Sequence, residues 1–225
     1  MRAGSGAGGE AGGPGRVPRL HVVVPDEVAR RPNFLQVARG LREAAGGNLA
    51  LHLRLDEATG RRIHELAAAL ARGARSGGGW CVVNERADVA LSARAQAVQL
   101  GAGALPVAAA RQDLGPEVAV GASVPGADAA ARAAAGGANF LVLGTIFETP
   151  SHPDRPAAGP ELVERCRERV ALPLVAIGGV TPGRVAELLA AGAQGVAALR
   201  GVWSTPRPRD AVEAYLEALE QDGAA

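Results

Sequence analysis

The feature that most constrains this chain is an eightfold alternation. From Leu20 onward, short apolar runs are each followed by a segment with helical spacing. The runs are LHVVV (20–24), NLALHLRL (48–55), WCVVNE (80–85), AVQLG (97–101), VAVGASV (118–124), NFLVLGTIF (139–147), PLVAIGG (173–179) and GVAALRG (195–201). Helical patterns fall at 34–47, 58–78, 88–94, 106–114, 127–137, 161–170, 181–192 and 210–221. Strands apolar on both faces belong to a parallel sheet covered by helices. Eight strand-then-helix units predict a single-domain α/β fold, the (β/α)8 TIM barrel, whose active sites lie at the C-terminal ends of the strands. An open doubly wound sheet is the competing architecture. It usually carries a glycine-rich loop after its first strand, whereas VVVPDE stands there.

The barrel is expected over residues 20–222, and the Gly-rich residues 1–19 read as a flexible tail. With 225 residues the chain is long enough for one barrel. Aromatic residues make up only 3%, too few to stack single-stranded nucleic acid. The net charge of +1 leaves no electrostatic footprint for DNA or RNA. No apolar run has the length of a membrane span, and the N-terminus lacks a signal-peptide core. A cytoplasmic protein with a small-molecule ligand and no nucleic-acid or membrane partner is expected, and a homo-oligomer is compatible with the sequence. The two cysteines, Cys81 and Cys166, form neither a disulfide framework nor a Cys-x-x-Cys metal pattern, and read as buried thiols.

In a closed barrel, polar residues at the strand ends meet at one mouth. These are His52 and Arg54 from strand two, Asn84 and Glu85 from strand three, Gln99 from strand four and Ser123 from strand five. Strand six and its loop add Thr145, Glu148, Thr149, Ser151 and His152. Strands seven and eight end on Gly178, Gly179, Arg200 and Gly201. Glycine lets backbone amides approach an anion closely, a helix N-terminus adds partial positive charge, and barrels often hold phosphate between these two loops. A phosphate site is the functional reading, and plain turns are the alternative. Alternation puts His52 and Arg54 on one face of strand two. Arg54 then meets either an anionic substrate or a carboxylate, Asp56 or Glu85. His152 is either an acid/base group on a closing loop or a solvent-exposed histidine. His21 and His64 read as structural, and Asp88 as support for the helix after strand three.

The motifs LHLR (51–54), NERADVAL (84–91), VQLG (98–101), GASV (121–124), LGTIFET (143–149), AIGGVTPGRV (176–185) and GVAALRGVW (195–203) together resemble the thiamine-phosphate synthase and TenI (thiazole tautomerase) superfamily, from about Leu20 to Leu219. The resemblance implies a (β/α)8 barrel that binds a thiazole phosphate in thiamine biosynthesis, its phosphate held by the loops after strands seven and eight. The synthase branch joins a pyrimidine diphosphate to a thiazole phosphate and expels pyrophosphate with magnesium. Its strand-two pattern Gln-x-Arg-x-Lys reads His52, Arg54 and Asp56 here, its Asn-Asp pair reads Asn84-Glu85, and its lysine after strand six falls at His152. Its His-x-Gly-Gln-x-Asp reads Gln99, Gly101, Ala102 and Ala104, without the second metal carboxylate. These changes remove positive charge where pyrophosphate would leave, and electrostatics dominates the stabilisation of such a group.

The chain therefore resembles the TenI branch more than the synthase branch. It implies a tautomerase-like enzyme that makes a carboxylated thiazole phosphate aromatic without a cofactor. Its histidine before the strand-six Phe falls at Thr145, which leaves His152 or His52 as the acid/base group and Arg54 on the carboxylate. A synthase with Glu85 as its Mg²⁺ ligand is the second reading. A non-catalytic phosphate-binding barrel is the third.

Overall fold

A computed structural model of the chain, described for residues 15–150 and 156–221, is a closed ring of eight parallel strands. They are β1 (Leu20–Val24), β2 (Leu49–Leu53), β3 (Trp80–Asn84), β4 (Ala97–Leu100), β5 (Ala119–Val124), β6 (Phe140–Leu143), β7 (Leu174–Ile177) and β8 (Gly195–Ala198). Each pairs with the next, and β8 returns to β1 through the register Leu20↔Val196. Around them run α1 (Asp26–Ala29), α2 (Phe34–Ala45), α3 (Gly60–Gly77), α4 (Ala87–Ser92), α5 (Val107–Leu114), α6 (Ala127–Ala135), α7 (Glu161–Arg167), α8 (Val185–Ala190), α9 (Arg200–Trp203) and α10 (Pro208–Glu220). The fold is the single-domain TIM barrel that the alternation predicts.

Local chemistry explains the elements. In α3, Ile63, Leu66, Ala67, Leu70, Ala71 and Ala74 recur at helical spacing and are buried, and the Thr59 hydroxyl caps the start by accepting from the Arg62 amide at 3.3 Å. Before α8, Pro182 opens a 3-10 turn (Pro182–Arg184). The Thr181 side chain makes no capping bond there, so the proline rather than the threonine supplies the start signal.

Two strands end earlier than their apolar runs suggest. Strand six stops at Leu143, and the amides of Ile146 and Phe147 donate to Ile177 and Gly178 of the neighbouring segment at 2.9 and 3.0 Å. Strand eight stops at Ala198, because Leu199 leaves the extended region (φ −122, ψ −78) and α9 begins at once. Tertiary anchors account for that turn. Trp203 is buried and its indole donates to the Val23 carbonyl at 2.7 Å, while the Tyr215 ring leaves no space beside Gly201 for a side chain.

The sheet divides the apolar interior in two. One cluster lies between strands and helices and includes Leu20, Val22, Leu51, Cys81, Leu141 and Tyr215. The other fills the barrel lumen and contains Val17, Ala50, Trp80, Val82, Ala97, Ala119, Phe140, Val142, Val175 and Ala197. Val17 lies upstream of β1, so barrel contacts begin before Leu20, and residues 1–14 of the expected tail lie outside the described residues. Cys81 and Cys166 are free and buried. Among the described residues, no helix is long and apolar enough to cross a membrane.

Candidate functional site

A cavity of about 910 Å³ opens at the C-terminal ends of the strands. It gathers His52, Arg54, Asn84, Glu85, Gln99, Ser123, Thr145, Glu148, Thr149, Gly178, Gly179, Arg200 and Gly201 along one wall or another. Ser151 and His152 lie outside the described residues.

The floor is set by strand register. Asn84 pairs with Gln99, and Gln99 with Gly121, so three consecutive strands present these residues at one level. The Gln99 amide donates to the Ser123 hydroxyl at 3.0 Å. A Cβ on Gly121 would overlap the Gln99 carboxamide and the Phe140 ring, so glycine is what lets both lie there. The Asn84 Oδ1 and Gln99 Oε1 atoms are buried and meet no donor from the protein. A buried acceptor left unpaired costs roughly 1–3 kcal/mol, so a ligand N–H is its natural complement.

His52 does not have the character of a general base. Its Nε2 lies 2.7 Å from Nδ1 of His21, whose own Nε2 lies 3.0 Å from the Pro18 carbonyl oxygen. Burial, together with the neighbouring His21, holds the His52 pKa well below 6.5. Burial lowers His21 to about 4 against the opposing pull of the Pro18 bond. Both imidazoles are neutral near pH 7. His64, by contrast, is exposed on α3.

Arg54 lies just past the end of β2, where Asp56 meets the carboxylate reading. Its Nε is 3.6 Å from Asp56, and it also lines the cavity. The ion pair is half-exposed, the kind that contributes little to stability. Glu85 adopts a left-handed conformation (φ 64). This turns its carboxylate onto the Gly101 amide at 2.9 Å, while its own amide donates to Gln99 at 2.9 Å. The nearby Asp88 is gripped by Arg86 at 2.8 and 2.6 Å, and this pairing lowers its carboxyl pKa. Among the described residues, no group of three His, Cys, Asp or Glu converges as a metal cage.

On the opposite wall, Gly178 (φ 101) and Gly179 (φ 64) are left-handed, and a Cβ on them would come within 2.6 Å of Thr145 Cγ2 and of the Glu148 carbonyl respectively. The loop after β6 packs directly on these glycines. Tyr215 crowds Gly201 and donates to the Val180 carbonyl at 2.7 Å. Close backbone packing therefore requires these glycines independently of any ligand, and they also edge the cavity. Arg200 donates to Thr149 Oγ1 at 3.0 Å. Arg184, which sequence reasoning passed over, lines the same rim. It donates to the Gly179 carbonyl at 3.0 Å and stacks 4.3 Å from the Phe147 ring centroid. Its signal was present in TPGR, a cation in the first turn after the paired glycines. The described lining thus holds three arginines (54, 184, 200) against two glutamates (85, 148).

Residues 20–202 match the family described as thiamine monophosphate synthase. A thiamine-phosphate synthase of Methanoculleus marisnigri is 41% identical over 184 residues, 81% of this chain and 86% of that protein. A thiamine biosynthesis bifunctional protein ThiM/ThiE of Symbiobacterium thermophilum is 42% identical over 158 residues, 70% of this chain but 33% of that longer protein. The solved structure of a thiamine phosphate pyrophosphorylase from Pyrococcus furiosus superposes with a TM-score of 0.78 at 28% identity, covering 90% of this chain and 96% of that one. These similarities overturn the expectation of a tautomerase-like activity nearer the TenI branch, since the relatives bear synthase names. Replacements at a few strand ends, such as Asp56 and Ala104, do not fix the branch when the similarity to synthases runs over residues 20–202.

Proposed function

The chain belongs to the thiamine monophosphate synthase family, and from that premise we propose that it joins a pyrimidine diphosphate to a thiazole phosphate with release of pyrophosphate. The observation that carries this reading is the polarity of the cavity at the C-terminal ends of the strands. Unpartnered carboxamide oxygens lie under β3 and β4, and a glycine-edged, arginine-bearing rim lies across the ring at β7 and β8. Two substrates with different ends fit such a divided space, and about 910 Å³ lies in the upper range of small-molecule sites.

In the reaction, the thiazole ring nitrogen forms a C–N bond to the methylene carbon of the pyrimidine. The C–O bond to the diphosphate breaks, and its electron pair leaves with pyrophosphate. The main contributions of the protein are orientation and charge. Arg200 and the amides around Gly178, Gly179 and Gly201 hold the thiazole phosphate, with Arg184 on the same rim. Asn84 and Gln99 accept from the pyrimidine, and Ser123 fixes the Gln99 amide. Arg54 faces the diphosphate, Thr145 packs the floor beside Gly178, and Glu148 and Thr149 border the rim.

The chemistry of Glu85 fits magnesium. Mg²⁺ is commonly bound through one or two carboxylates, waters and substrate phosphates rather than by an all-protein cage. Glu85 is a carboxylate on the cavity wall, with one oxygen tethered to Gly101. When bound, the ion supplies positive charge to the departing pyrophosphate.

The test is direct. Incubate the protein with pyrimidine diphosphate, thiazole phosphate and Mg²⁺, and follow thiamine phosphate by conversion to its fluorescent oxidation product. Turnover well above the uncatalysed rate is expected. If thiazole phosphate binds but no product forms at any Mg²⁺ concentration, the synthase reading is lost.

A further inference from the structure

Among the cations on the cavity rim, Arg184 is set apart by how it is held. It closes the short turn that follows the paired glycines. Its Nη1 donates to the Gly179 carbonyl at 3.0 Å, and its guanidinium carbon lies 4.3 Å from the centre of the Phe147 ring. Phe147 is itself anchored. Its amide donates to the Gly178 carbonyl at 3.0 Å, and its side chain packs against the cluster outside the sheet. A ring face held in this way attracts a guanidinium by about 0.5–1 kcal/mol at an exposed site. A loose arginine carries about 2 kcal/mol of rotamer freedom, which a ligand has to freeze. Two fixed contacts remove part of that cost before any ligand arrives.

The same contacts leave the charge uncompensated. A guanidinium has five N–H donors in a planar fork, and Arg184 commits one of its nitrogens, to Gly179. Among the described residues no carboxylate pairs with it, whereas Arg54 on the cavity wall meets Asp56. The amides of Gly178 and Gly179 likewise donate to no acceptor among the described residues. A fixed cation and free backbone donors therefore edge one end of the cavity. An anion with several oxygens complements both, and phosphate takes the two-pronged contact that arginine favours.

We propose that Arg184 is a specificity residue of the thiazole-phosphate end, touching the phosphate directly, and that Phe147 is a positioning residue acting through it. The inference rests on the proposed synthase reading for the identity of the molecule that carries the phosphate. The contact itself requires only a phosphate monoester.

Calorimetric titration without Mg²⁺ or pyrimidine compares binding of the thiazole phosphate with that of the thiazole alcohol. Arg184→Gln should weaken the phosphate about tenfold, the usual worth of a bond to a charged group, and leave the alcohol unchanged. Phe147→Leu should weaken the phosphate about threefold through the lost stacking, and Phe147→Tyr, which keeps the ring, should retain native affinity. In an Arg184→Gln background, Phe147→Leu should add nothing, because its effect passes through the missing cation. With turnover, Arg184→Gln should raise KM for the thiazole phosphate and spare KM for the pyrimidine diphosphate. Native phosphate affinity in Arg184→Gln, or a rise confined to the pyrimidine diphosphate, would overturn the phosphate contact. A Phe147→Leu loss that persists without Arg184 would overturn the positioning role. Arg184-dependent phosphate binding without turnover would strike only the synthase reading. Thiamine phosphate formed with both KM values native in Arg184→Gln would strike only this inference.

Discussion

Acid should loosen this protein through its buried histidine pair, and the size of the effect follows from His21. An unfolded histidine titrates at its ordinary 6.5, whereas burial lowers His21 in the barrel to about 4. Above pH 6.5 both states are neutral there, and the full stability is present. Between 6.5 and 4 the unfolded chain binds a proton that the folded one refuses, so stability falls as pH falls, and below 4 the loss levels off. At about 1.36 kcal/mol per pH unit, the whole interval corresponds to roughly 3 kcal/mol, with about 2 kcal/mol already lost at pH 5. His52 is lowered in the same direction and steepens the slope. Urea midpoints measured from pH 7.5 to 4.5 read the effect. With a slope of about 2 kcal/mol per molar urea, the midpoint should drop by about 1 M by pH 5 from His21 alone. Carboxylates titrate in the lower part of this range too, so the decisive quantity is a difference. His21→Phe should remove about 2 kcal/mol of the acid-induced loss at pH 5, whatever its stability at pH 7.5. Parallel curves for the native protein and the variant would show that His21 does not resist protonation, and the reasoning would fail.

Further outcomes follow from the site geometry. Gly121→Ala should lower the melting temperature by several degrees, because a methyl group there meets Phe140 and Gln99 and overpacking costs about 1–3 kcal/mol; an unchanged melting temperature would contradict the packing described. Arg200→Ala should raise KM for the thiazole phosphate about tenfold or more and spare KM for the pyrimidine diphosphate, in line with the loss of a charge-assisted bond. Equal effects on both would move Arg200 away from the phosphate. Glu85→Gln should raise the Mg²⁺ concentration needed for half-maximal rate, and an unaltered Mg²⁺ titration would remove Glu85 as a ligand.

The barrel was legible because its signal is repeated eight times and each strand is apolar on both faces. All eight runs became strands. What sequence missed depends on contacts distant along the chain. The early end of β8 and the short α9 depend on Trp203 reaching the Val23 carbonyl and on Tyr215 crowding Gly201, across separations no local pattern encodes. Most polar members of the cavity could be named because alternation fixes which residues point inward. His21, read as structural, is buried and bonded to the Pro18 carbonyl, in keeping with that reading. The branch of the family was not legible from the few altered strand-end residues, since the similarity to synthases is spread over residues 20–202.

The partition of the apolar interior carries a consequence of its own. The cluster outside the sheet and the cluster inside it share no residue. One works as a container and the other as its contents. Chemistry can be rewritten by exchanging the contents, such as Trp80, Phe140, Val142 or Val175, while the outer wall continues to hold the ring shut. A chain built this way can gain a new ligand preference without redesigning its architecture.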